Sequence, residues 1–159
     1  GKKSLRVILV GKGGDGTRGQ DGTWSAAGAD GVDGLGGLVW AATININDGQ
    51  EFPVAFGEDT TFGTYSSANG KRYDNGYTDV ASGDSFARTG VAKPRAGTGD
   101  GGAKGTGGTQ GRRHREKGFD IHGNPIGNYW VIDVEPGSGI PGESGASGCV
   151  VVYWDKEDA

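Results

Sequence analysis

Apolar residues along this chain gather into short runs and do not recur along helical faces. The runs are rich in β-branched and aromatic residues, which suit a pleated, half-buried strand. They are residues 5–10 (LRVILV), 38–46 (LVWAATINI), 51–56 (EFPVAF), 60–65 (TTFGTY), 128–134 (NYWVIDV) and 149–154 (CVVVYW). From Thr43 through Ile44, Asn45 and Ile46 to Asn47 polar and apolar positions alternate, which predicts a strand with one solvated face. Asn47, Asp48 and Gly49 then supply the turn of a hairpin between the second and third strands. No stretch keeps a 3.6-residue period, so almost no α-helix is expected. The first and last runs are the most apolar, and unpaired they would be aggregation-prone edges, so they are expected to pair with each other. Residues 65–98 are polar, turn-rich and aromatic, and read as long excursions.

Between the strands lies a second pattern, with a period of three. Gly13, Gly16, Gly19 and Gly22 step in threes, Ser25 holds the next place, and Gly28, Gly31, Gly34 and Gly37 resume the register. Gly99, Gly102, Gly105, Gly108 and Gly111 repeat it, as do Gly139, Gly142, Gly145 and Gly148. A helix of three residues per turn with one edge free of side chains meets this demand, and polyproline II geometry provides it. A collagen triple helix is disfavoured, because only 5 of the 159 residues are proline while 35 are glycine. A flexible linker would carry Gly and Ser without period. The expected fold is all-β: a small β-sandwich or sheet from which threefold glycine helices emerge and pack side by side, their N–H groups donating to carbonyls of neighbouring helices. Residues 1–159 are expected to form a single glycine-rich domain, a fragment of a longer fibre or surface protein.

The net charge is only −4, and no apolar run approaches the roughly 18 residues of a membrane span, so membrane insertion is not expected. Cys149 is the one cysteine; it lacks a disulfide partner and reads as a small buried hydrophobe. Gly11, Gly13 and Gly16 spell GxGxxG after an apolar strand, with Asp30 and Asp33 further on. The dinucleotide fingerprint needs a helix to start at the third glycine, and Gly19 and Gly22 would break one. Gly70 and Lys71 lack phosphate-loop spacing. Asp15, Asp21, Asp30 and Asp33 lie among glycines, yet their period is three where calcium-binding β-roll repeats use nine, and Arg18 stands where a ligand should. Asp74, Asn75 and Asp79 read as a turn. No metal or cofactor is expected. His114 and His122 have no nucleophile or second ligand at a useful spacing and read as surface residues.

Two stretches remain as candidates for contact. Arg112, Arg113, His114, Arg115 and Lys117 form a basic run in an acidic protein, suited to phosphate or acidic sugar groups. Nucleic acid is not the expected partner, since no recognition module surrounds the run. In the polar excursion stand Tyr65, Tyr73, Tyr77 and Phe86, and Trp24 interrupts the first glycine run. Such aromatics offer large, stiff area with a polar tip, whether to a ligand or to the core. The expected contact residues are Tyr73, Tyr77, Phe86, Arg112, Arg113, His114 and Arg115, carried on loops at 65–98 and 112–119.

The layout of an opening strand running into glycines (RVILVGKGGDG), INDGQEFPVAFG, TTFG, glycine-rich stretches and a closing SGCVVVYW resembles the glycine-rich domain of phage tail-fibre tips and bacterial surface proteins. The likeness spans roughly residues 5 to 154, and it departs in 99–148, where the basic run and NYWVIDVE replace glycine. The resemblance implies a non-enzymatic receptor-binding adhesin on a virion tail fibre or at the cell surface. Its implied partners are a bacterial cell-surface glycan or outer protein and the remainder of the fibre, with oligomerisation through that fibre. A structural or surface-binding glycine-rich extracellular protein, of matrix or ice-binding type, is the alternative; the charges of Asp15, Arg18, Asp21, Asp30, Asp33 and Lys104 speak against ice binding, which needs a weakly charged face. A fibre-borne glycan hydrolase would need two carboxylates about 5 to 9 Å apart in a groove.

Overall fold

The computed structural model describes residues 4–82, 88–90 and 94–155. In chain order the strands are β1 (Ser4–Val10), β2 (Val39–Asn45), β3 (Val54–Phe56), β4 (Thr60–Phe62), β5 (Tyr65–Ser66), β6 (Arg88–Gly90), β7 (Arg112–Phe119), β8 (Pro125–Val134) and β9 (Cys149–Asp155). Helix is confined, among the described residues, to one turn at Ser67–Asn69 and to α1 (Tyr77–Ser82), so the protein is all-β. Contacts gather in two compact units. The first comprises Gly1–Gly16, Asp33–Ala103 and Glu143–Ala159; the second comprises Thr17–Val32 and Lys104–Gly142.

The first unit is built on an antiparallel sheet in the order β2-β1-β9-β6. The first and last apolar runs pair as expected, from Arg6 opposite Tyr153 to Val10 opposite Cys149. Successive side chains of a strand point to opposite faces, and β1 is covered on both. Val7 and Leu9 join Ile44 and Phe62 on one side. Ile8 and Val10 join Val39, Val151 and Tyr153 on the other. Burial on both faces is why Val7 to Val10 (VILV) read as an unbroken apolar run with no alternation. A second sheet, β3-β4-β5, closes the first face, with Phe52 stacked on Phe62 at 4.7 Å and Trp40 on Tyr65 at 5.1 Å. Tyr77 and Val80 of α1 pack against the second face.

Several expectations need correction. Asn47 to Gly49 do turn, with Gly49 at φ +77°, but β2 pairs with β1 and β3 with β4, so no hairpin joins β2 to β3. The strand expected at 60–65 is broken at Gly63, whose φ of +59° reverses the chain between β4 and β5. The run expected at 51–56 pairs only from Val54, beyond Pro53, which has no N–H to give a ladder. Residues 112–119 are not a loop but the strand β7, and its partner β8 starts at Pro125, upstream of the apolar run at 128–134.

The glycine runs pack chiefly backbone against backbone, in the three-residue register read from the sequence. In the first unit the Gly13 and Gly16 amides donate to the Ala146 and Glu143 carbonyls, both at 2.9 Å, and Gly34 and Gly37 donate to Gly102 and Gly99 at 2.8 and 2.7 Å. In the second unit Gly19 and Gly22 donate to Ile140 and Gly137 at 3.0 and 2.8 Å, and Gly28 and Gly31 donate to Gly108 and Gly105 at 2.8 Å. A Cβ at Gly13, Gly34, Gly105 or Gly108 would overlap a carbonyl of the neighbouring run. The amides of Gly13 and Gly16 are thus spent on the bundle, which gives the GxGxxG motif a structural use. The interspersed aspartates serve the same packing. Asp15, Asp21 and Asp30 accept hydrogen bonds from the amides of Gly145, Gly139 and Gly107 at 2.9, 2.8 and 2.9 Å. The Gly107 amide, helped by Lys104, holds the Asp30 carboxyl below its ordinary pKa.

Candidate functional site

In the second unit β7 and β8 form a two-stranded antiparallel ribbon, in register from Arg113 opposite Ile132 to Gly118 opposite Gly127. β8 has the aromatic and β-branched composition of a strand, and it recruits the highly charged β7 by pairing. The connecting turn is tied by one carboxylate. Asp120 Oδ1 accepts the amides of His122 and Asn124 at 2.8 and 2.9 Å, and Gly123 adopts φ +80°. These amides, Asn124's first, hold the Asp120 carboxyl below its ordinary pKa.

Strand alternation sorts the ribbon into two faces. One carries Arg113, Arg115 and Lys117, opposite Ile132, Trp130 and Asn128. The Arg113 guanidinium lies 4.7 Å from the centre of the Trp24 ring and 4.2 Å from that of Trp130; Arg115 lies 4.6 Å from Trp130. Each such contact on an exposed surface is worth about 0.5–1 kcal/mol. Trp24 is itself held by a tight turn. Thr23 Oγ1 accepts the Ala26 amide at 3.1 Å, and Gln110 Nε2 donates to the Trp24 carbonyl at 3.2 Å. Gly111 leaves the space: a Cβ there would meet Trp24 and Pro136 at 2.8 and 2.7 Å. Trp24, Gln110, Gly111, Arg112, Arg113, Trp130 and Asp133 line a shallow open groove.

The other face carries His114 between two carboxylates. Its Nδ1 is 2.9 Å from Asp133 Oδ2 and its Nε2 is 2.9 Å from Glu116 Oε1, while the Tyr129 hydroxyl donates to Glu116 Oε2 at 3.0 Å. Carboxylates only accept, so both ring nitrogens must donate, and the arrangement calls for imidazolium. The bond to Asp133, then that to Glu116, raises the His114 pKa above its ordinary 6.5. The bond to His114, then that from Tyr129, lowers the Glu116 pKa. Tyr129 is raised by the same contact with Glu116. A raised histidine stabilises fully below its unfolded pKa and loses that contribution as pH rises through its folded value. A lowered carboxyl stabilises above its unfolded pKa and loses that contribution as pH falls through its folded value. The clamp is therefore complete between the folded pKa values of Glu116 and His114. An NMR titration should place the His114 midpoint above 6.5, and Asp133→Asn should lower it. A midpoint unmoved by that substitution would contradict the clamp.

Cation pairing separates the ribbon from the rest of this unit. Arg18 pairs with Asp21 at 3.4 Å and Lys104 with Asp30 at 3.6 Å, whereas Arg112, Arg113, Arg115 and Lys117 form no ion pair with any described residue. Of the expected contact residues, the structure brings Arg112, Arg113, His114 and Arg115 onto one ribbon, with His114 on the face opposite Arg113 and Arg115. Tyr73 and Tyr77 belong to the first unit. Tyr73 is 39 % exposed, while Tyr77 is packed against the core with its hydroxyl 2.6 Å from that of Tyr153. Phe86 lies outside the described residues. Sequence reasoning does not single out Trp130, Glu116, Tyr129 or Asp133. The two-residue step of Arg113, Arg115 and Lys117 is the signal that could have found their strand. No protein-family model matches the chain, and neither does any curated protein or solved structure.

Proposed function

We propose that this protein is a non-enzymatic adhesion module, carried at the tip of a phage or prophage tail fibre, that grips a bacterial cell surface through the β7–β8 ribbon. The observation that carries this reading is a ribbon left open on both faces and at its tip. Ile121 is 96 % exposed, and Phe119, Ile126, Tyr129, Trp130 and Ile132 are each exposed as well. Large apolar side chains exposed on both faces and at the tip of one ribbon, interleaved with charge, support an interaction site. The His114 ring has both nitrogens bonded to carboxylates, which leaves no lone pair for general-base chemistry. Weak single contacts suffice for such a module, because several copies on one fibre would add avidity through effective concentration.

Binding of the labelled protein to bacterial cells tests the proposal. A combined Ile121→Ser, Ile126→Ser and Trp130→Ala substitution should reduce cell binding at least about tenfold, since a few large anchoring side chains dominate such contacts. Tyr73→Ala, in the first unit, should leave it within about twofold. Undiminished binding by the ribbon variant would refute the ribbon's role, and turnover of a cell-wall glycan by the purified protein would refute the non-enzymatic assignment.

A further inference from the structure

We infer that the cationic face of the ribbon takes an extended anionic glycopolymer of the cell envelope, one bearing a carboxylate or a phosphodiester in each repeat. This rests on the adhesion reading and names its ligand class. Arg113, Arg115 and Lys117 occupy successive places on one face, and two strand residues step by about 7 Å. Three cations at successive positions of one face, two of them gathered on the Trp130 ring, suit a chain of repeated charges better than a single small anion. None of them is neutralised by a described carboxylate, so an incoming anion displaces water and not an internal partner.

The guanidiniums are preorganised. Arg113 lies over the rings of Trp24 and Trp130 and Arg115 over that of Trp130, and their N–H groups bond to no described residue, which leaves the fork that carboxylate and phosphate oxygens accept in pairs. On the same face Asn128, opposite Lys117, offers an amide to hydroxyls, and Ile132, opposite Arg113, offers an apolar patch to the C–H side of a sugar or polyol. Asp133 borders the groove, and His114 meets its charge. Single-stranded nucleic acid is disfavoured by the same stack. A base-stacking platform needs open ring faces, and on this face of the ribbon two guanidiniums already engage Trp130.

The test is equilibrium binding of the intact protein to immobilised polygalacturonate, poly(glycerol phosphate), neutral dextran and single-stranded DNA across a salt series, with the two anionic polymers also used as competitors of cell binding. At least one anionic polymer should bind and compete while dextran does neither, and affinity should fall as salt rises. Binding to polygalacturonate alone assigns carboxylate; binding to poly(glycerol phosphate) alone assigns phosphodiester. Arg115→Gln should weaken binding about tenfold or more, as expected for loss of a charge-assisted hydrogen bond. Lys117→Gln, which leaves the tryptophan stack untouched, should weaken it severalfold. The inference is overturned if neither anionic polymer binds, if both substitutions leave binding unchanged, or if DNA binds more tightly than both polymers. Cell binding that needs the ribbon but resists both competitors overturns the inference and leaves the adhesion reading standing. Cell binding indifferent to the ribbon overturns the adhesion reading itself.

Discussion

Gly105→Val is expected to unfold the protein or to destabilise it by more than about 3 kcal/mol, whereas Thr106→Val beside it should change stability by no more than about 0.5 kcal/mol. The Gly105 Cα faces a neighbouring run so closely that an added Cβ would overlap the Ile140 carbonyl oxygen. That oxygen accepts the Gly19 amide at 3.0 Å, so pushing it aside removes a backbone hydrogen bond as well as the packing. The neighbour is main chain with no rotamer to turn away, which is why the cost lies beyond that of ordinary overpacking. Thr106 is exposed, and only its backbone carbonyl takes part, accepting the Ile140 amide at 2.8 Å. Gly14 and Gly36 supply the control: a Cβ at either meets its nearest atom only at 3.4 and 4.0 Å, so Gly14→Ala and Gly36→Ala should be tolerated. Urea denaturation of the four variants decides the matter. A common effect at all four positions would show that glycine serves here only as a flexible residue.

Removal of residues 149–159 is expected to abolish folding of the first unit, seen as loss of its cooperative melt and of dispersed NMR resonances. β9 lies between β1 and β6, and its loss strips five paired positions from β1. Val151 and Tyr153 are buried in the same cluster as Ile8 and Val10, and Val150 and Val152 pack against the opposite cluster with Val7 and Leu9. A fully buried side chain contributes roughly 1.5–3 kcal/mol, so Val151 and Tyr153 with the partly buried Val150 and Val152 carry a large share of the roughly 5–15 kcal/mol by which a domain is stable at all. β1 would then present an unpaired apolar edge to other chains. A truncated protein that still melts cooperatively at the same temperature would refute this account of the core.

The glycine register and the two most apolar strands are legible in the amino-acid sequence because each is imposed locally. A threefold helix packed on backbone tolerates no side chain at every third position whichever neighbour it meets, so Gly13, Gly34 and Gly105 announce their role in spacing alone. β1 and β9 are likewise announced by hydrophobicity, since strands covered on both faces need apolar residues at every position. Only tertiary structure decided which carbonyl each glycine amide meets, because a repeating register looks the same against every partner. It also decided that Asp15, Asp21 and Asp30 serve as acceptors for glycine amides, a contact across as many as 130 residues.

The candidate site lies at the opposite extreme. β7 (RRHREKGF) has no apolar period because neither of its faces is buried, so pattern alone could not distinguish a strand from a loop, and pairing with β8 made the difference. Tyr77 shows the same limit from the other side. Its chemistry suits a surface or a core equally, and only the approach of Tyr153 settled its place. Residue types along the chain determined the scaffold and the presence of an unusual basic run. The alignment of Trp24, Arg113, Trp130 and Arg115 into one stack depended on the fold, because cation–π contacts reach only a few ångströms while these residues are scattered over a hundred positions of sequence.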